Sequence, residues 1–324
     1  MRKIFNFIFA SVLWLIAVGV SAPAQQDIHS AALEIRHGKP YVMVMVNGKG
    51  PFRFILDTGT GGEAFVTPDL VNQLGLSEAG KIRLSDPSGK GSRSVSMVVL
   101  QSLQVAGVEF AGVKAAVHNL NGGDGYCQGL LGFVLFRDYL LTLDYPNRQM
   151  ALASGELEPD GERSVLPFRM PDGIPVVTLA IGGTGNRKGG GMRIEAQIDS
   201  GGAGLSLPEG LASRLKFSTE ATSLSNAQSL STRFQVKGAM LAADVRLGSY
   251  TFKRPFVEIN PAFPLANFGS CPMQNFALTF DQKNGWVRFA AREKTLHLSP
   301  TPEPIRLVNA PPNQQPDLSL VPVG

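Results

Sequence analysis

Phe54-Ile55-Leu56-Asp57-Thr58-Gly59-Thr60 is an apolar run that ends in a carboxylate, a hydroxyl and a glycine. Alone, it reads as a strand closing in an Asx turn. A second copy, Ala196-Gln197-Ile198-Asp199-Ser200-Gly201-Gly202, changes that reading. The two aspartates stand 142 residues apart in a chain of 324. Two strand-terminal carboxylates, one in each half, point to a shared site made by a repeated unit.

The surroundings of the two motifs repeat as well. Residues 42–46 are an apolar, β-rich run, and Asn47-Gly48-Lys49-Gly50 follows as a hairpin turn, because Asn-Gly tolerates the positive φ angles a tight turn needs. Residues 52–56 form the return strand that delivers Asp57. Thr67-Pro68-Asp69-Leu70 predicts a helix start with Thr67 as N-cap and Pro68 at the first helical position, ending near Gly75. In the second half, residues 176–181 are the first strand and the Gly-rich residues 182–191 the turn. Residues 192–198 return to Asp199, and Leu207-Pro208-Glu209 opens a short helix. The second hairpin is longer, an insertion that a Gly-rich turn tolerates. Further on, an apolar-Gly element (Leu130-Leu131-Gly132; Phe268-Gly269) precedes a Thr-x-Asp strand (Thr142-Leu143-Asp144; Thr279-Phe280-Asp281) in the same order in both halves.

Composition narrows the class. With 36 Gly, 22 Pro and few strongly periodic helical stretches, the chain suits an all-β protein. Arg2 and Lys3, an apolar run over residues 4–20 and Ala22-Pro23-Ala24 read as a secretory signal peptide over residues 1–24. Retained, the same run would be an N-terminal anchor, and only then is a membrane partner expected. The formal net charge is +4 and the basic residues are scattered, which argues against a nucleic-acid partner. The two cysteines, Cys127 and Cys271, could pair in an exported chain or stand as two separate thiols. The four histidines (His29, His37, His118 and His297) are widely spread, and no cluster has metal-ligand spacing. Residues 154–164 read as a linker, and the Pro-, Asn- and Gln-rich residues from 299 on as a flexible tail. The expected division is therefore 25–157 and 158–292 for the two halves and 293–324 for the tail.

A strand end holds a carboxylate rigidly, and Gly59 and Gly201 let the backbone turn and another chain approach. Thr58 and Ser200 offer hydroxyls to tie the two loops together across a pseudo-twofold axis. If the loops meet there, the carboxylates cannot both ionise and share a proton. One can then take a proton from an attacking water while the other polarises a carbonyl oxygen. No metal, covalent nucleophile or cofactor is needed.

These residues resemble a bilobed aspartic protease of the pepsin and retropepsin group. Asp57-Thr58-Gly59-Thr60 fits the first catalytic motif and Asp199-Ser200-Gly201 the second, while Leu130-Leu131-Gly132 fits the element that threads beside the catalytic loop. The resemblance implies two similar β-barrel-like lobes related by a pseudo-twofold axis, with the active cleft between them. It implies Asp57 and Asp199 as the catalytic pair, supported by Thr58, Gly59, Thr60, Ser200 and Gly201. The expected activity is that of an exported aspartic endopeptidase, periplasmic or secreted and monomeric, acting on an extended peptide or protein substrate. A non-catalytic peptide-binding protein with the same fold is the alternative. The sequence departs from the pattern at Gly202, where a hydroxyl would bond the second carboxylate, and at Asn267, where an apolar residue is usual. The pair is therefore expected to lack a donor beside Asp199 and to share its proton at a higher pH than a dyad with two hydroxyls. The turn at 86–91 is a candidate flap tip or an ordinary exposed hairpin.

Overall fold

The structure is a computed structural model that describes residues 27–85, 91–120, 126–183, 191–228 and 233–299. The expected signal peptide, most of the candidate flap tip (86–90) and the tail from 300 on lie outside the described residues. Among the described residues the strands form sheets of eight, ten and six, and helices are short. The chain is all-β, as its composition indicated.

The eight-stranded sheet is built from the first half. Lys39–Val46 and Lys49–Asp57 form the hairpin that delivers Asp57, and Asn47 and Gly48 both take positive φ at its turn. Gly129–Gly132 then runs parallel to Lys49–Asp57, setting Gly132 opposite Asp57. The ten-stranded sheet repeats the arrangement. Val176–Ile181 pairs with Met192–Asp199, and Ala266–Gly269 runs parallel to the latter with Gly269 opposite Asp199. The helix Pro68–Leu74 is capped as the sequence required, with Thr67 accepting from Leu70 N at 3.2 Å and Gly75 in the left-handed region at φ 64°.

The six-stranded sheet joins the halves. Its order is Ile28–Ala32, Gln149–Ala153, Leu140–Asp144, Ala277–Asp281, Trp286–Ala290, Val165–Pro167. The first three strands come from one half and the last three from the other, and each starts 137 residues before its counterpart. At the centre, Thr142 and Thr279 face each other with their hydroxyls 3.0 Å apart. The same offset at every strand is what an approximate twofold through this pair requires. The Thr-x-Asp landmarks are thus the seam between the halves. Asp281 is buried and accepts from Leu157 N at 3.0 Å, which fastens the expected linker to the seam.

Two expectations need correction. The first half begins earlier than the apolar run at 42–46, with a strand, Ile28–Ala32, that edges the joining sheet. The second sheet also runs past residue 292, because Thr295–Leu296 pairs with Tyr250–Phe252. Both strands are too short or too exposed to show a periodic apolar face.

The core is continuous across the seam. Phe133, just after the first apolar-Gly element, packs edge-on against Phe280 at 5.0 Å and Phe168 at 6.0 Å. Phe252, Phe268, Phe276 and Phe289 form a second aromatic cluster under the ten-stranded sheet, in tilted and edge-to-face pairs. Such pairs add about 0.5–1.5 kcal/mol each beyond their buried area.

Candidate active site

Asp57 and Asp199 end equivalent strands and meet where the two sheets face each other. They are 1% and 2% exposed, and Asp199 lies close enough for its charge to act on Asp57. The loops that carry them interlock. Thr58 N donates to Ser200 Oγ at 2.9 Å and Ser200 N donates to Thr58 Oγ1 at 3.0 Å. Each hydroxyl donates in turn across the seam, Thr58 Oγ1 to the Ile198 carbonyl and Ser200 Oγ to the Leu56 carbonyl, both at 2.6 Å. Four reciprocal bonds between buried groups set the two carboxylates at a fixed separation. The glycines at 59 and 201 make the approach possible. A Cβ on Gly59 would lie 2.5 Å from Asp199 Cγ, and one on Gly201 would lie 2.5 Å from Asp57 Cγ.

The carboxylates are held from outside as well. Asp57 Oδ1 accepts from Gly59 N at 2.8 Å and Oδ2 from Thr60 Oγ1 at 3.0 Å. Asp199 Oδ1 accepts from Gly202 N at 2.8 Å, so Gly202, and not Gly201, supplies the backbone donor on that side. Asp199 Oδ2 accepts from Asn267 Nδ2 at 2.7 Å. This overturns the expectation of a missing donor beside Asp199. The two departures from the usual pattern, Gly202 and Asn267, fit one another.

Electrostatics follow from burial. Asp57 is held well above the usual carboxylate range, first by burial and second by the charge of Asp199, while Thr60 and Gly59 N partly oppose the rise. Lys39, half-buried at the start of its strand, is brought down to about 8 by burial, with the two dyad carboxylates opposing the fall. The hairpin turn before it reaches the other half of the molecule: a Cβ on Gly38 would lie 3.6 Å from Cys271 Sγ. Tyr145, buried below the dyad, receives a long hydrogen bond from Ser270 Oγ at 3.4 Å, and burial pushes its phenol up.

Every site residue named from the sequence lies in this cluster. Sequence reasoning missed Asn267 as a donor, although its polarity at an apolar position was the signal. Nothing in the sequence marked Lys39 or Tyr145. No disulfide joins the cysteines; the buried Cys127 Sγ donates to the Gly129 carbonyl at 2.8 Å. Among the described residues, no group of three His, Cys, Asp or Glu side chains is placed to hold a metal ion.

Comparison with known proteins agrees with the first half of this description. Residues 42–135, which include the first motif and the first apolar-Gly element, match the aspartyl protease family. Asp199 lies outside the matched stretch. A solved structure titled as a retropepsin-like aspartic protease from Rickettsia conorii is 22% identical with a TM-score of 0.30, covering 40% of this chain and 92% of that one. No curated protein matches the chain.

Proposed function

We propose that the chain is an aspartic endopeptidase and that Asp57 and Asp199 are its catalytic pair. The observation that carries this reading is two buried, neighbouring carboxylates on interlocked Asp-Thr/Ser-Gly loops. A fold has no use for two carboxylates in contact, since their repulsion and desolvation oppose folding. Catalysis does. One shared proton leaves one carboxylate as base and the other as acid, so a water held between them can lose a proton as it attacks a peptide carbonyl. The acid supplies a hydrogen bond to the developing oxyanion and then a proton to the leaving amine. The pair titrates as a unit. The substrate is an extended peptide lying across the cleft and pairing with strand edges. The reading includes export on the N-terminal leader and two lobes acting as one monomer.

The test is cleavage of a mixed peptide library between pH 3 and 7, with and without a hydroxyl-bearing mimic of the tetrahedral intermediate. Cleavage that the mimic blocks, and that Asp57→Asn and Asp199→Asn each reduce by at least the roughly 10²–10⁴-fold expected for loss of acid–base catalysis, supports the reading. Near-normal turnover in either variant refutes it.

A further inference from the structure

We propose that Asn267 is the positioning residue for Asp199, taking the place of the hydroxyl that the second motif lacks, and that Gly202 is glycine to make room for it. The proposal rests on the peptidase reading of the site, and it concerns how the dyad divides its proton.

Three observations carry it. First, Asn267 Nδ2 donates to Asp199 Oδ2 at 2.7 Å, as Thr60 Oγ1 donates to Asp57 Oδ2 at 3.0 Å. The dyad thus has one outer donor on each side, but from different places. Thr60 belongs to the loop of its own aspartate, whereas Asn267 comes from the neighbouring parallel strand, 68 residues away.

Second, the two departures exclude the usual arrangement together. A Cβ on Gly202 would lie 2.4 Å from Asn267 Nδ2 and 2.6 Å from Asp199 Oδ2. A side chain at 202 and the amide at 267 cannot share that space. The backbone does not explain the glycine, because Gly202 is absent from the positive-φ residues. The close approach of the amide and of the Asp199 carboxylate does.

Third, Asn267 is placed at a cost. Its Oδ1 is buried with no hydrogen-bond partner among the described residues. Leu130, which faces Ile55 as Asn267 faces Gln197, shows that an apolar side chain fits the equivalent place. An apolar residue would strand nothing. An amide that strands its own carbonyl is explained by what its nitrogen does.

What the nitrogen does is favour a charged Asp199 carboxylate, since a donor bond stabilises the ionised form. An amide has no proton to rotate away, whereas a hydroxyl can turn and accept. Asn267 therefore biases the shared proton toward Asp57.

The test is a four-way set: the wild-type chain, Asn267→Val, Gly202→Ser, and the two combined. The dyad is titrated in the purified protein by carboxylate carbon NMR on aspartate-labelled samples, with no substrate present, and melting temperature is recorded across pH. Asn267→Val should raise the first deprotonation of the pair by about one to two pH units, the size expected for loss of a hydrogen bond to a charged group. Gly202→Ser alone should lower the melting temperature, because its Cβ collides with the amide and with the Asp199 carboxylate, and the combined variant should recover the part due to the amide. The combined variant should titrate closer to wild type than Asn267→Val, with the serine hydroxyl as donor. If the valine variant does not fold, Asn267→Ala reads the same shift. A dyad that titrates unchanged without Asn267, or a serine that restores nothing, overturns the proposal. Because the titration needs no turnover, a chain that behaves as expected here yet cleaves no peptide would refute the peptidase reading and leave the role of Asn267 standing.

Discussion

Removing one hydroxyl from the interlocked loops should destabilise the whole molecule and disarm the dyad together. Ser200→Ala deletes an oxygen that accepts from Thr58 N at 2.9 Å and donates to the Leu56 carbonyl at 2.6 Å. Thr58 and Leu56 are completely buried, so water cannot replace the lost partner. One donor and one acceptor are left without a partner, each costing about 1–3 kcal/mol, for a total of roughly 2–6 kcal/mol. That is a sizeable share of the ~5–15 kcal/mol that holds a typical domain together. The mirror substitution, Thr58→Val, deletes the matching bonds to Ser200 N (3.0 Å) and the Ile198 carbonyl (2.6 Å), and should cost the same within experimental error. Thr58→Ser keeps the hydroxyl and should be nearly neutral. The assay is urea unfolding with linear extrapolation, run on all three variants at one pH. Peptide cleavage should fall further than the stability loss explains, because a shift of about 1 Å between reacting groups can cost on the order of 10²-fold. If Ser200→Ala and Thr58→Val both unfold within about 0.5 kcal/mol of wild type, the four bonds do not hold the halves together and the argument fails.

The dyad itself should oppose folding at neutral pH. Asp57 is raised above its unfolded value, so the stability it contributes is present below about pH 4 and is lost as pH rises through its folded value. Asp57→Asn does not titrate, so its melting temperature should exceed that of wild type near pH 7 and converge with it below pH 4. A difference that widened toward acid would contradict this. Lys39 has the opposite shift, lowered to about 8 by burial, so its cost is present below pH 8 and is relieved as pH climbs toward 10.5. Lys39→Met should therefore gain about 1–3 kcal/mol at pH 7, taking 1.36 kcal/mol per pH unit and discounting for partial exposure. That gain should shrink in melts at pH 10, and a constant gain would show that packing, not charge, is responsible. Asp281→Ala should lose about 2–4 kcal/mol, because Leu157 N and Asn284 N both donate to that carboxylate; stability unchanged in urea would remove Asp281 from the seam.

The parts of the fold legible in the sequence were those whose cause is local. Asn-Gly at 47–48 needs only its own φ angles, Thr67-Pro68 only its own helix, and an aspartate followed by a hydroxyl residue and glycine only its own turn. The repeat made these local signals count twice, and so both aspartates and the crossed hydroxyls were readable before any coordinate. The joining sheet was half legible. Thr142 and Thr279 recur as landmarks, but nothing in a single strand says that the two pair with each other across the seam. Ile28–Ala32 was invisible because its burial pattern has no inward face: four of its five residues are exposed.

Asn267 is the instructive miss. Read position by position, Gly202 lacks a hydroxyl and Asn267 lacks a hydrocarbon, and each appears as a defect of the second motif. Read in space, one residue fills what the other vacates, and the carboxylate between them gains the donor it needs. A motif is scored along the chain, whereas a hydrogen bond is made across it. A polar residue at an apolar position and a missing side chain at a polar one, when parallel strands bring them together, are better treated as one substitution than as two errors. The same logic bears on the alternative of a non-catalytic peptide-binding protein, since an imperfect second motif is what would speak for it, and both imperfections belong to one hydrogen-bonded arrangement.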